Sequence, residues 1–348
     1  MQLTPEERRR IYEEEEARIR AERQARARAV RNWFTVPVNL ALVIAAVVLI
    51  ALIVLLSKLF VPTPQGAIRP AHSSASPPAS ATSSRVPVSP AKAGEVRTNP
   101  RDGAKMVWVP AGEFLRGSTD SEVAAMLRGN PKYVQASWCD SEKPQRRIYL
   151  DGYWIYKYEV TVTQYRRFCK ATGRAMPDPP YIGWKNDRPV DGVTWQDAAD
   201  YAKWADASLP TEAQWEKAAR GTDGRIFPWG NKWNPSRCAN SVKRELDGPM
   251  PVGSYPKGAS PYGCCDMAGN AVEWCADWYD DDETYYATAP SSNPTGPAEG
   301  RSRVLRGGSW DFGSAALVTF RCAARGGGDP EKGVPLYGSQ GFRCVRMP

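Results

Sequence analysis

The segment RVLRGGSWDFGSAALVTFRC, residues 303–322, sets glycines, a tryptophan and arginines ahead of a cysteine. A thiol acts as nucleophile or metal ligand only as the thiolate, which needs a base, a second thiol or a metal nearby. The chain carries eight cysteines and a single histidine, His72, in a Ser/Ala/Pro-rich stretch. Ser-His-Asp and Cys-His sites are therefore excluded from the folded part. Histidine-ligated zinc and the two-histidine iron site are excluded with them. No Cys-x-x-Cys occurs, so the common zinc and thioredoxin-like spacings are missing too.

The elements that must position these residues begin with a charged N-terminal stretch. Residues 1–35 read as a solvated helix, with Thr4 as cap, Pro5 in the first turn and Glu7 completing a capping box. Glu14 with Arg18 and Glu22 with Arg26 stand one helical turn apart. Leu40 to Leu56 is uninterrupted apolar sequence, and residues 36–61 are long enough to cross a bilayer of roughly 30 Å as one transmembrane helix. Arg23, Arg26, Arg28 and Arg31 precede it, which places the N-terminus in the cytoplasm and the rest outside, as a single-pass inner-membrane protein with a periplasmic domain. All eight cysteines follow this span, where disulfides are able to form, with a pairing the sequence leaves open. Residues 62–103 are rich in Pro, Ser and Ala and are expected to be a disordered linker. The net charge of +8 sits largely before this point, and a near-balanced remainder argues against nucleic acid as a partner.

From residue 104 the texture becomes that of a folded α+β domain running to 348. MVWVPAGEFLRGS alternates like a strand and breaks at Ala111-Gly112 into a hairpin-like turn. TVTQYRRFCKATG reads as a helix with a threonine cap and closing glycine. VTWQDAADYAKWA is a second helix capped by Thr194 with Asp197 in the box position. LPTEAQWEKAARG is a third, boxed by Thr211 and Gln214 and ended by Gly221. The acidic run Asp277 to Glu283 reads as a solvated loop.

In order, MVWVPAGEFLRGS, YEVTVTQYRRF, LPTEAQWEKAARG, FPWGN, DMAGNAVEWCADWY, RVLRGGSW, RCAARG and GFRCVR resemble the formylglycine-generating enzyme, or sulfatase-modifying factor, family over about residues 104–348. The resemblance implies a variant of the C-type lectin fold with long loops. The family's oxidising members place two copper-binding cysteines between GGS and RC, since soft thiolates suit Cu(I). Here those positions are Phe312 and Leu317, so copper is not expected. Cys322 and Cys344 match cysteines used for structural disulfides, whose partners fall on Ala219 and Ala202.

The resemblance also places Trp310, Asp311, Phe312 and Ser314 along the family's substrate groove, where aromatic anchors and a few polar groups suit a peptide or small ligand. It implies a structural calcium ion on DMAGNAVEW, held by Asp266, the carbonyls of Gly269 and Ala271, and Glu273. The alternative for Glu273 is an internal ion pair with Arg321 or Arg343. A second calcium loop would use Asn240, Ser241 and Asp247, but that loop is shortened here. The expected function is non-catalytic binding of a protein or small ligand. The competing class is an enzyme, either an oxidase of the family with relocated cysteines or the substrate-binding half of a split iron enzyme.

Overall fold

The computed structural model describes residues 91–129, 136–180, 183–241, 248–280, 284–312, 316–332 and 340–348. The expected charged helix, membrane span and most of the linker lie outside them. Among the described residues no helix is long and apolar enough to cross a membrane.

Three small sheets carry the fold. The first has order β1 (Val96–Thr98), β2 (Lys105–Val109), β5 (Tyr153–Tyr156) and β10 (Val345–Arg346), all antiparallel. The second pairs β3 (Gly112–Arg116) with β4 (Arg146–Leu150). The third has order β8 (Gly326–Gly328), β7 (Arg303–Arg306), β6 (Val272–Trp278) and β9 (Gln340–Gly341), with β6 and β9 parallel. Two sequence expectations change here. The break at Ala111-Gly112 is no hairpin, because β2 pairs with β1 and β5 while β3 turns away to β4. The folded part also starts before 104, since β1 pairs with β2 in register Val96 to Val107. All three β1 residues are exposed, so main-chain bonds hold this edge strand and no hydrophobic pattern announces it.

The helices follow their caps. In α2 (Val162–Thr172), Thr161 and Gln164 bond reciprocally and Gly173 closes the end at φ 72°. Its buried residues Val162, Tyr165, Phe168 and Cys169 form one stripe at helical spacing. The stripe meets α3 (Trp195–Trp204), capped by Thr194 and Asp197, through Tyr165 and Tyr201 stacked 5.8 Å apart. The tyrosines' polar ends are satisfied: Tyr156 and Tyr201 both donate to Asp102, at 2.7 and 2.6 Å. Two further helices, α1 (Asp120–Gly129) and α5 (Thr284–Thr288), lie nearer the surface.

The remaining long helix, α4 (Glu212–Arg220), breaks the usual pattern. It is boxed by Thr211 and Gln214 as its sequence predicts, yet Glu212, Glu216, Lys217 and Arg220 are buried with its apolar residues. Such burial stands only where every charge is paired. Glu212 accepts from Arg116 at 3.0 Å and from Arg325 at 2.6 Å. Glu216 accepts from Arg220 at 2.9 Å, from Arg306, and from the Gly117 amide at 2.7 Å. Lys217 gives its ammonium to the carbonyls of Pro110 and Gly112. The acidic run differs from its expectation as well. Asp277 is buried at the end of β6, accepting the Glu212 amide at 2.9 Å, and the buried Asp280 accepts the amides of Tyr285 and Tyr286. These carboxylates end elements rather than face water.

Candidate functional site

The expected groove segment follows β7 directly. Gly307 and Gly308 take φ 94° and 73°, turning the chain out of the third sheet. Trp310 then bonds back through its amide to the Asn270 carbonyl at 3.1 Å, and the Phe312 amide reaches the Ser309 carbonyl at 3.1 Å. Ser241, expected on a second calcium loop, instead ties this segment down. Its amide reaches the Phe312 carbonyl at 3.2 Å and its hydroxyl the Asp311 carbonyl at 2.9 Å. Asn240 is buried, its amide bonded to the Pro235 and Cys238 carbonyls. Asp247 and Ser314 lie outside the described residues.

Phe312 joins an aromatic row: its ring is 6.3 Å from Phe320, Phe320 stacks on Trp233 at 5.5 Å, and Trp233 is 5.9 Å from Trp229, itself stacked on Phe227. Phe320 and Phe227 are buried while Phe312, Trp229 and Trp233 are half-buried, so the row has one closed and one open side. Beside it, Ser309 Oγ and Trp310 Nε1 are buried without a hydrogen-bond partner. Buried polar atoms are nearly always satisfied, so these two are exceptions to the rule. The motif FPWGN carries Trp229, but nothing in the sequence alone assigns Trp229, Trp233 or Ser309 to the site.

No thiol here is set up for chemistry. All eight cysteines are buried and none is disulfide-bonded. Burial pushes Cys139, Cys264 and Cys265 up to about 11 and Cys238 and Cys322 up to about 12. Cys169, Cys275 and Cys344 are raised by the same cause. Thiols held protonated neither attack nor ligate. Cys322 sits in one core cluster with Ala219, and Cys344 in another with Ala202, so the positions named from the resemblance lie in the same clusters while offering no second sulfur.

The loop expected to hold calcium is built tightly. Gly269 is at φ 77°, and a Cβ there would stand 2.1 Å from the Ala239 carbonyl oxygen. Asp266 sits at φ 58° and accepts the Gly253 amide at 2.6 Å. Ala271 leads into β6. The four-ligand set nevertheless does not fit a calcium ion, because Glu273 is spoken for. It is fully buried and forms a two-pronged pair with Arg343, at 2.6 Å for each oxygen, and it also accepts Trp215 Nε1 at 2.9 Å. Among the described residues, no three His, Cys, Asp or Glu side chains are arranged to hold a metal.

Fold and groove segment together define a domain of the sulfatase-modifying factor family, and the chain belongs to it: residues 92–348 match the family described as Sulfatase-modifying factor enzyme 1-like domain. Among characterised relatives, the formylglycine-generating enzyme of Streptomyces coelicolor is 34% identical over 317 residues, covering 74% of this chain and 94% of the relative. The hercynine oxygenase of Mycolicibacterium thermoresistibile is 34% identical over 201 residues, 54% of this chain and 45% of the oxygenase. Among solved structures, PvdO from Pseudomonas aeruginosa superposes with a TM-score of 0.62 at 25% identity, over 74% of this chain and all of PvdO.

Proposed function

We propose that this domain is a non-catalytic recognition module that takes a peptide or small ligand against its open aromatic row. The observation that carries the reading is the half-buried face of Phe312, Trp229 and Trp233, with Ser309 Oγ and Trp310 Nε1 unpartnered beside it. Aromatic anchors next to a few directed polar groups are the usual make-up of such a site. Eight protonated, buried thiols support binding over oxidation. The test is to pan a displayed peptide library against the purified chain. Selected peptides should lose roughly tenfold or more in affinity with Trp310→Ala, the range of a modest hot spot. If a Cys-x-Pro-x-Arg peptide incubated with the protein and copper gains formylglycine by mass spectrometry, the domain is an oxidase and this reading is wrong.

The same proposal puts the domain outside the cytoplasm on a single N-terminal span, residues 36–61, with the arginine cluster on the inner side. A reporter active only outside the cytoplasm, fused after Pro348, should be active. Activity of a cytoplasm-only reporter at that point would reverse the topology.

A further inference from the structure

Between the Asp102–Lys105 turn and the start of α2 lies a cavity of about 260 Å³ that shares no lining residue with the aromatic row. Its charged lining residues divide by depth. Asp102 and Glu159 are each 1% exposed, while Lys105 and Arg167 stand exposed at the mouth. Asp102 is engaged within the protein, since it accepts the Ala104 amide at 2.9 Å and the hydroxyls of Tyr156 and Tyr201. The Lys105 ammonium reaches Thr98 Oγ1 at 2.9 Å, and one Arg167 nitrogen reaches the Asp102 carbonyl at 3.1 Å, so both cations keep donors in reserve. Glu159 is placed differently. Its Oε1 accepts from Asn270 at 3.0 Å, but its Oε2 is buried with no partner. Arg343 pairs with Glu273, and Lys157 holds its ammonium 5.5 Å from the Tyr158 ring centroid, so neither is bonded to Glu159. A carboxyl group buried in this way is costly until a donor reaches it.

We propose that this cavity binds a free α-amino acid, with the ammonium group against the Glu159 carboxyl and the carboxylate between Lys105 and Arg167. The ammonium brings Glu159 the donor and the counter-charge that the protein does not supply. The carboxylate stays at the mouth, where the two cations have donors for it. A simple amine would satisfy Glu159 but would pass two cations on the way in and leave them unanswered. A simple carboxylate would answer the cations and leave Glu159 as it was. Drug-sized ligands occupy pockets of about 300 Å³ and more, so a cavity of about 260 Å³ suits a smaller molecule. The site is independent of the aromatic row and does not rest on the function proposed for it.

The experiment measures the melting temperature of the full chain with each standard L-amino acid in turn. At least one should raise it by about 5 °C at concentrations well above Kd. Calorimetric titration with that amino acid should show one molecule bound per chain. Its decarboxylated amine and its deaminated acid should each bind about tenfold more weakly or worse. Glu159→Gln should lose about tenfold or more in affinity, and Arg167→Ala should lose affinity as well. Arg167 is exposed, so Arg167→Ala carries the test alone should Glu159→Gln not fold. If no amino acid raises the melting temperature or binds in the calorimeter, the site is wrong. Equal binding of the amine alone would mean that the mouth cations take no part, and would overturn the assignment. Undiminished binding in Arg167→Ala, or in a folded Glu159→Gln, would place the amino acid elsewhere and overturn it equally.

Discussion

Two buried ionic clusters in this domain are built on opposite balances. Around α4, Glu212, Glu216 and Asp277 meet Arg116, Arg220, Arg306 and Arg325, with cations in excess and most lone pairs accepted. Around Arg343 the guanidinium pairs with Glu273 alone, and the buried Glu159 keeps one oxygen without a partner. The first cluster joins β3, α4, β7 and the Arg325 segment and so fixes their arrangement, although Arg116 Nε and Arg306 Nε are buried without a hydrogen-bond partner. In the second, burial raises Glu159 and Asp266 above the usual carboxylate range, which favours their neutral forms. Burial is the same in both, so it is the arginines within reach that decide whether a buried carboxylate is held ionised or pushed toward its neutral form.

The contrast is most strongly tested by breaking the first cluster. Glu216→Ala strands Arg220 and leaves Arg306 only its longer contact to Glu212, and should cost about 3–5 kcal/mol in urea unfolding. Arg174→Ala, which removes only exposed pairs to Asp197 and Asp200, should cost less than about 1 kcal/mol in the same measurement. A Glu216→Ala loss as small as that of Arg174→Ala would deny the cluster its structural role.

A smaller effect is expected from pH. Burial, with Glu212 close by, holds Asp277 up at about 7, against 3.8 for an ordinary aspartate. Between these values the folded chain holds a proton that the unfolded chain has released. This group's contribution is therefore full below about pH 4 and is lost as pH rises through 7. Asp277→Asn should remove that decline, leaving stability flatter from pH 5 to 8 by on the order of 2 kcal/mol. Glu212 works in the other direction. Burial alone would raise it, but Arg325, Arg306 and Arg116 outweigh burial and bring it down to about 2, so its contribution is full above about pH 4.5 and lost as pH falls through 2. Acid denaturation followed by circular dichroism should show both slopes in the wild type and only the acid-side one in Asp277→Asn.

Much of the fold was legible because its signals are local. Three capping boxes marked three helix starts, and all three are present in the structure. What was not legible depended on partners distant in sequence. Nothing in EAQWEKAAR says that its charges will be buried, since the arginines that make this tolerable stand about 90 or more residues away at Arg116, Arg306 and Arg325. β1 escaped notice because its residues are exposed and its bonds are main-chain. At the site, Trp310 and Phe312 were found through a motif, and the Glu273–Arg343 pair was one of two readings open. Glu159 is not legible as a buried acid, because YEVT reads as an ordinary strand end and only the fold brings it to Asn270.

The free, buried state of all eight sulfurs has a consequence for the history of the molecule. A domain that owes nothing to cross-links has no oxidative maturation step. It can reach its native structure beside a reducing cytosol or in an oxidising space by the same route, with no disulfide to form or reshuffle. Its thiols, sealed from solvent, also give passing oxidants little to react with. Its melting curve should be indifferent to dithiothreitol, and its abundance in a cell should follow its synthesis instead of the redox poise around it.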